Sequence, residues 1–175
     1  MSVYKIDAAH SEINFKVKHL MITTVSGSFT SFEGTLESKK EDFSDAKISF
    51  SADVNSISTN NEQRDGHLKS EDFFAAEAFP TLTFSSTSFA PKGGDEYALT
   101  GDLTIKGVTK SVVLNVELGG TATDPWGQVK AGFELNGKIN RKDFGLSWDA
   151  VTEAGNIMVS EEVKLIMSVQ LIKQA

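Results

Sequence analysis

The sequence contains no cysteine, which excludes disulfides, thiolate catalysis and cysteine-based metal sites. It also has no stretch near the roughly 20 apolar residues that a membrane-spanning helix needs. Its amino terminus shows no basic segment followed by an apolar run, which is the pattern of a secretory signal. As written, the chain is expected to be soluble and cytoplasmic, or periplasmic if it is a processed form.

Basic residues are few, and arginine is rarer still. Seventeen basic residues face 24 acidic ones, for a formal net charge of -7, and only Arg64 and Arg141 are arginines. This balance argues against nucleic acid as a partner, since binding there depends on many phosphate-neutralising side chains. It also disfavours docking on an anionic membrane through overall charge.

Recognisable catalytic motifs are missing as well. The chain lacks Gly-x-Ser-x-Gly, His-Glu-x-x-His and the phosphate-binding loop pattern. Its three histidines show no short metal-ligand spacing. The sequence therefore predicts no catalytic residues, no metal site and no cofactor, and favours a protein that is not an enzyme.

Phenylalanine is abundant, with twelve residues against two tryptophans and two tyrosines. Phenylalanine buries a large apolar area without a polar atom that needs a partner. A phenylalanine-rich interior is expected to exclude water, whether it is a packed core or a pocket for an apolar molecule.

Strict alternation of apolar and polar residues is the strongest pattern in the chain and predicts half-buried β-strands. It covers residues 13–19, 48–54, 97–105, 112–116, 129–139 and 163–171; less regular runs cover 26–37 and 81–89, and a short one opens the chain at 3–6. Short turn-forming segments between the runs favour antiparallel hairpins. We expect residues 1–175 to form one all-β domain, an eight-stranded antiparallel barrel, with a β-sandwich as the alternative.

One segment, residues 60–78, breaks the alternation. It is charged at first and ends in an apolar cluster that includes Phe73 and Phe74. It predicts a short helix and a helical turn, closed by Pro80, which also bounds the next strand.

Large and small residues share the predicted inner face of the sheet. Phe15, Phe50 and Phe133 occur there with Ala52, Gly101, Ala131 and Gly137. The small residues would leave room for one ligand along part of the barrel. The alternative is a tapered interior that its own side chains fill.

Three polar residues are candidates for one end of such an interior. His19 continues the inward positions of its strand, so it is either a core histidine with a hydrogen-bond partner or a group that meets a ligand head. Arg64 and Arg141 offer rigid forks for carboxylate or phosphate. Alternatively, each pairs with a nearby acid such as Asp65, Asp72 or Asp143 and fixes a loop.

Four separated blocks of the sequence resemble the YceI-like proteins. They are Tyr4-x-Ile6-Asp7-x-x-His10-Ser11-x-Ile13-x-Phe15-x-Val17-x-His19; Arg64-Asp65-x-His67-Leu68-x-Ser70-x-Asp72-Phe73-Phe74 with Phe79-Pro80-x-Leu82-x-Phe84; Gly101-Asp102-Leu103-Thr104-Ile105-x-Gly107-Val108-Thr109-Lys110; and Asn140-Arg141-x-Asp143-Phe144-Gly145. The blocks occur in the family's order over nearly the whole chain. The resemblance implies a lipocalin-like barrel with a helical segment across part of it.

The resemblance also implies a bound isoprenoid-type lipid, polyprenyl phosphate or quinone-like, held as cargo by a carrier or store. The residues expected at the lipid tail are Phe15, Val17, Phe50, Phe84, Phe133 and Met167, and those expected near its head are His19, Arg64, His67, Arg141 and Asp143. An enzyme acting on a lipid head group and a structural or stress-related barrel with a filled core remain alternatives. A homodimer is left open.

Overall fold

Alternating residues give each strand one apolar face, and in a computed structural model of the chain those faces turn towards a common interior. The structure describes residues 1–148 and 159–175. Its strands are β1 (Ser2–Ile6), β2 (Glu12–His19), β3 (Thr23–Phe29), β4 (Phe32–Ser38), β5 (Lys47–Asp53), β6 (Ile57–Ser58), β7 (Thr81–Gly93), β8 (Glu96–Ile105), β9 (Val108–Thr123), β10 (Val129–Asn140) and β11 (Glu162–Lys173).

The strands close into a barrel with eight positions. The pairing runs β1–β4–β5–β7–β8–β9–β10–β11 and returns to β1, with every pair antiparallel. β11 pairs with β1 near its end and with β2 near its start, so β1 and β2 share one position. β3 and β4 share another, as do β5 and β6. The predicted eight-stranded, lipocalin-like antiparallel barrel is confirmed.

Short interruptions bend the three shared positions. A 3-10 turn at Ala8–His10 separates β1 from β2, and another at Val54–Ser56 separates β5 from β6. The run predicted as one strand over residues 26–37 is divided at Thr30 and Ser31. Such bends increase the local curvature of a sheet, which closing it into a barrel requires.

One helix, α1 (Glu62–Lys69), lies where the sequence predicts it. The side chain of Asn61 caps its amino terminus by accepting the backbone N–H of Arg64 at 3.0 Å. Glu62 stands in its first turn and Lys69 in its last, as the helix dipole favours. In the described parts of the chain, no helix is long and apolar enough to cross a membrane.

The two ends of the barrel differ. The strands β2, β8 and β10 all run towards the same end of the barrel, and β11 starts there. This end, which we call the helix end, carries α1 and the turns after β2 and β8. The opposite end, which we call the plug end, carries the loop over residues 39–46. Phe43 from that loop is 2% exposed and its ring stands 5.4 Å from Tyr4 and 5.5 Å from Phe133, between centroids. This aromatic cluster fills the plug end.

Asp45 fixes the plug loop through its carboxylate. It accepts hydrogen bonds from the Ser38 hydroxyl at 2.6 Å and from the backbone N–H groups of Lys39 at 2.9 Å and Lys40 at 3.2 Å. These bonds, led by that from Ser38, lower the pKa of Asp45 from 3.8 to about 2.

Acid should therefore loosen this loop. A carboxylate whose pKa is lowered by folding stabilises the folded state above its ordinary pKa, and this contribution is lost as the pH falls. We expect the loss between pH 3.8 and about 2. Urea unfolding of the wild type and Asp45→Asn over this range should show a shallower fall for the variant. If the free energy of unfolding falls equally with pH in the wild type and the variant, the prediction is contradicted.

Candidate functional site

An apolar cavity of about 450 Å³ occupies the barrel interior. This volume lies within the roughly 300–1,000 Å³ of typical small-molecule sites. On β11 alone the lining follows every second residue from the helix end towards the plug end: Val163, Leu165, Met167, Val169 and Leu171. That distance is roughly 26 Å along the strand, or about 20 Å along the axis of a barrel with ordinary strand tilt. The cavity is therefore long as well as apolar.

Glycines in the wall let large side chains lie flat against it. Phe15 lies directly opposite Gly27, and a Cβ atom added to Gly27 would stand 2.3 Å from the Cζ of that ring. Phe84 covers Gly101 in the same way, again at 2.3 Å. The glycines thus accommodate rings that would otherwise project into the bore.

This arrangement corrects one expectation. The sequence predicts that Gly101 and Gly137 themselves leave open room, yet the space beside them is taken by Phe84 and by the Leu114 side chain. The small residues act indirectly, since they allow their neighbours to pack against the wall. The open volume lies at the centre of the barrel.

All six residues predicted at a lipid tail line the cavity: Phe15, Val17, Phe50, Phe84, Phe133 and Met167. Phe84 and Phe133 are nearly inaccessible, whereas Val17 and Met167 are half-buried. Half-burial of an inward aliphatic side chain is what an unfilled space beside it produces. That these residues contact a ligand stays a prediction.

Arg64 brings a cation to the cavity lining at the helix end. Its Nε donates to the Thr59 hydroxyl and its Nη2 to the Thr59 carbonyl, both at 2.7 Å. Asp65, one of the acids considered as its partner, instead accepts from the hydroxyl and the backbone N–H of Thr59 at 2.6 and 2.8 Å. Within residues 1–148 and 159–175, the remaining nitrogen of Arg64, Nη1, has no hydrogen-bond partner.

His67 lies one helical turn after Arg64 and also lines the cavity. Its Nε2 is 2.9 Å from a carboxylate oxygen of Asp72, another acid considered as an arginine partner. The imidazole meets the rings of Phe73 and Trp148 edge to face, at centroid distances of 5.1 and 4.8 Å. These contacts hold the histidine in an aromatic rim around the helix end.

His19 lines the cavity where β2 ends and is half-buried. It pairs through its backbone with Val159. The side chain of His19 forms no hydrogen bond with the described residues. Among those residues, the structure therefore does not support the alternative of a core histidine with a hydrogen-bond partner. As far as the described residues go, His19 and Arg64 therefore both have hydrogen-bonding capacity left for the cavity.

The two other residues predicted near a ligand head have different surroundings. Arg141 is 3% exposed and borders the cavity. It donates to the backbone carbonyls of Leu146, Trp148, Val159 and Ser160, at 2.6, 2.9, 3.2 and 2.9 Å. Its fork thereby ties the segment after β10 to the start of β11.

Asp143, by contrast, is exposed and is not among the residues that line the cavity. Its predicted contact with a ligand head stays a prediction, with no support from its position.

Some lining residues are not predicted from the sequence. Trp148 is one, since it follows the last strong motif and belongs to no strand. Val25 is another, since it lies just before the run predicted over residues 26–37, whereas Ile139 lies within the predicted run over residues 129–139. Leu68, Phe73 and Phe74 also line the cavity, and the apolar cluster at the end of the helical segment indicated their burial.

The arrangement is suited to enclosing an apolar chain with a polar group at one end. Among the described residues, no cluster of three or more histidine, aspartate or glutamate side chains could hold a metal ion. Entry from the plug end is blocked by the aromatic cluster around Phe43. The charged and imidazole groups on the lining, which are Lys18, His19, Arg64, His67 and Arg141, lie instead at the helix end, whereas Asn14, Thr35 and Ser49 lie along the strands.

Solved structures of several proteins share this barrel. BcnA from Burkholderia cenocepacia superposes with a TM-score of 0.82 at 24% identity, covering 94% of this chain and 98% of that one. A Campylobacter jejuni YceI protein gives a TM-score of 0.77 at 33% identity, covering 90% of each chain. A Saccharophagus degradans domain, described as polyisoprenoid-binding and implicated in plant cell wall breakdown, gives 0.69 at 17% identity with 98% coverage of both.

Sequence comparison leads to the same group. The protein YceI of Salmonella newport strain SL254 is 42% identical over 173 residues, which span 98% of this chain and 87% of that protein. The corresponding protein of Salmonella arizonae has the same identity and coverage. The model of the YceI-like domain matches residues 4–171. The chain therefore belongs to the YceI-like family.

Proposed function

We propose that this protein binds an amphipathic lipid with an isoprenoid tail and acts as its carrier or store. The observation that carries the proposal is the long cavity lined by apolar side chains, with polar groups of Arg64 and His19 at its helix end that have no hydrogen-bond partner among the described residues. A barrel with a solid core would not be expected to keep an interior space of about 450 Å³.

Tail burial supplies the affinity. Transfer of one CH₂ group from water into an apolar site contributes about 0.8 kcal/mol, so a tail of several isoprene units offsets the cost of ordering the ligand. The cavity lining needs no specific polar contact for this. Its length limits how much of a tail is enclosed.

A branched isoprenoid tail requires a wide bore. Methyl branches need more room across the chain than a linear acyl tail does. Phe15 and Phe84 lie flat over glycines, and this keeps the bore wide where unsupported rings would narrow it. We therefore favour a polyprenyl compound over a linear fatty acid or amide.

The head group would lie beside Arg64. A guanidinium N–H donates well to phosphate or carbonyl oxygen, and Nη1 is already held in place because Nε and Nη2 are fixed by Thr59. His19 adds a second polar group on the same lining. Holding and releasing a lipid requires no chemical step, so this role does not call for an enzyme.

Protein purified from its expression host tests the proposal directly. Native mass spectrometry should show a mass above that of the chain, and organic extraction should release a hydrophobic compound with an isoprenoid fragmentation pattern. Protein that is consistently empty, and that takes up neither farnesol nor geranylgeraniol, would overturn the proposal.

The contribution of Arg64 can be measured with two probes that share a tail. Trp126 is 84% exposed at the plug end, so Trp126→Phe leaves Trp148 as the only tryptophan, placed on the cavity lining. In this background, Arg64→Gln should weaken farnesyl diphosphate binding by roughly tenfold to a hundredfold, the worth of a charged hydrogen bond. Farnesol binding should change little. An equal loss of affinity for both probes would contradict a head-group role for Arg64. The variant Arg64→Lys shows how much of the affinity for farnesyl diphosphate a positive charge alone restores.

The width of the bore can be tested at Gly27. In Gly27→Ala the new methyl group has to displace the ring of Phe15, whose Cζ would lie 2.3 Å away. We expect the ring to enter the bore and to weaken geranylgeraniol binding roughly tenfold, the equivalent of one or two CH₂ groups. Gly132→Ala is the matched control, because an added Cβ meets no atom within 4 Å. If both variants fold and bind alike, the ring does not set the width.

A further inference from the structure

The turn between β2 and β3 has an unusual composition. Leu20 and Met21 both adopt left-handed backbone conformations, with φ of 52° and 59°, and the Ile22 N–H donates to the His19 carbonyl at 3.1 Å. This geometry is normally supplied by Asn-Gly, since bulky side chains are strained there. The equivalent turn after β8 does use a glycine, Gly107, at its second position.

The strained residues gain little burial in return, since Leu20 is only half-buried. Met21 is 61% exposed and Ile22 is 77% exposed. We call residues 20–22 the apolar tip. Its two strands supply Val17, His19 and Val25 to the cavity lining, so the tip continues the apolar interior onto the outer surface at the helix end.

A row of lysines crosses the outer face of the barrel beside this tip. Lys16 on β2 lies directly opposite Lys164 on β11, which lies directly opposite Lys138 on β10. Like charges in such positions repel each other. Lys138 is 3.7 Å from Glu162, whereas Lys16 and Lys164 form no ion pair with any described residue. This lysine row stands out in a chain whose net charge is -7.

We propose that the apolar tip and the lysine row together dock this protein onto a phospholipid bilayer that contains anionic head groups. The proposal rests on the proposed function, because a lipid with a long apolar tail is exchanged with a membrane rather than with water. The tip enters the boundary of the hydrocarbon layer, and the lysines contact lipid phosphates. The helix end of the cavity then faces the bilayer.

The dimensions are compatible with this orientation. Amphipathic elements at membrane interfaces insert their apolar face by roughly 5–10 Å. Lys18 precedes Met21 by three residues, which is roughly 10 Å along the strand, and Lys16 lies two residues further from the tip. Flexible lysine side chains at these distances reach the head-group layer when the barrel leans towards β2, β11 and β10.

Flotation with lipid vesicles tests the two elements separately. The vesicles contain phosphatidylcholine alone or phosphatidylcholine mixed with phosphatidylglycerol. Met21→Ser with Ile22→Ser should lower binding at least roughly tenfold on both, since two large apolar side chains are lost. Lys16→Gln with Lys164→Gln should lower binding only on the anionic vesicles, by roughly tenfold at low salt, and the difference should vanish at high salt.

Matched controls lie at the plug end. Trp126→Ser removes a large side chain that is 84% exposed, and Lys5→Gln with Lys173→Gln removes the same charge as the lysine-row variant. Both should bind vesicles like the wild type. A loss as large as in the tip and lysine-row variants would show that general hydrophobicity or net charge acts instead, and would overturn the proposal.

The lipid content of each variant separates this proposal from the proposed function. If the tip variant retains extractable lipid but transfers it more slowly to vesicles, the docking surface is supported. If the wild type holds no lipid, the proposed function fails. Vesicle binding by the empty protein still tests the docking proposal in that case. Absence of vesicle binding by the wild type would overturn the docking proposal. So would sedimentation showing that the wild type is a dimer and the tip variant a monomer, because the tip would then be a contact between two copies of the chain.

Discussion

The width of a closed eight-stranded sheet is the constraint on which the rest of this structure depends. Such a barrel is near the limit that its own side chains can fill. In this chain, glycines let Phe15 and Phe84 lie against the wall, and an apolar space of about 450 Å³ remains. Phe43 closes the plug end of that space, so the cavity is accessible from the helix end, where Arg64 and His19 lie. The presence of the cavity, the position of its polar groups and its open end all depend on which side chains occupy the barrel interior.

Much of this fold could be predicted because its signals are local. Period-two alternation identified the strands, and the charged break before Pro80 identified α1 (Glu62–Lys69). The bend at Thr30 and Ser31 was missed, since a polar pair inside a strand pattern has no distinct local signature. Barrel closure itself depends on β11 pairing with both β1 and β2, and no local pattern encodes a pairing between the two ends of the chain.

The site was predictable in part, for a related reason. Strand parity says which face a residue occupies, and it placed Phe15 and Met167 on the interior correctly. It does not say which way a ring turns, so the room beside Gly101 was assigned to the cavity when Phe84 occupies it. Nor does the sequence reveal that Trp148 joins the lining, because its position depends on the carbonyl contacts of Arg141 rather than on any strand.

The two arginines show how burial decides the use of one side-chain type. Arg141 is 3% exposed, and its donors are taken up by backbone carbonyls, because an unsatisfied buried guanidinium would be costly. Arg64 is half-buried at the helix end, where Thr59 fixes two of its nitrogens and leaves Nη1 to the cavity. A guanidinium that is oriented but not saturated binds an oxygen-rich head group with little loss of side-chain freedom. The same comparison applies elsewhere on this lining: the hydroxyl of Thr59 is taken up by Asp65 and Arg64, whereas the imidazole of His19 forms no hydrogen bond with residues 1–148 and 159–175.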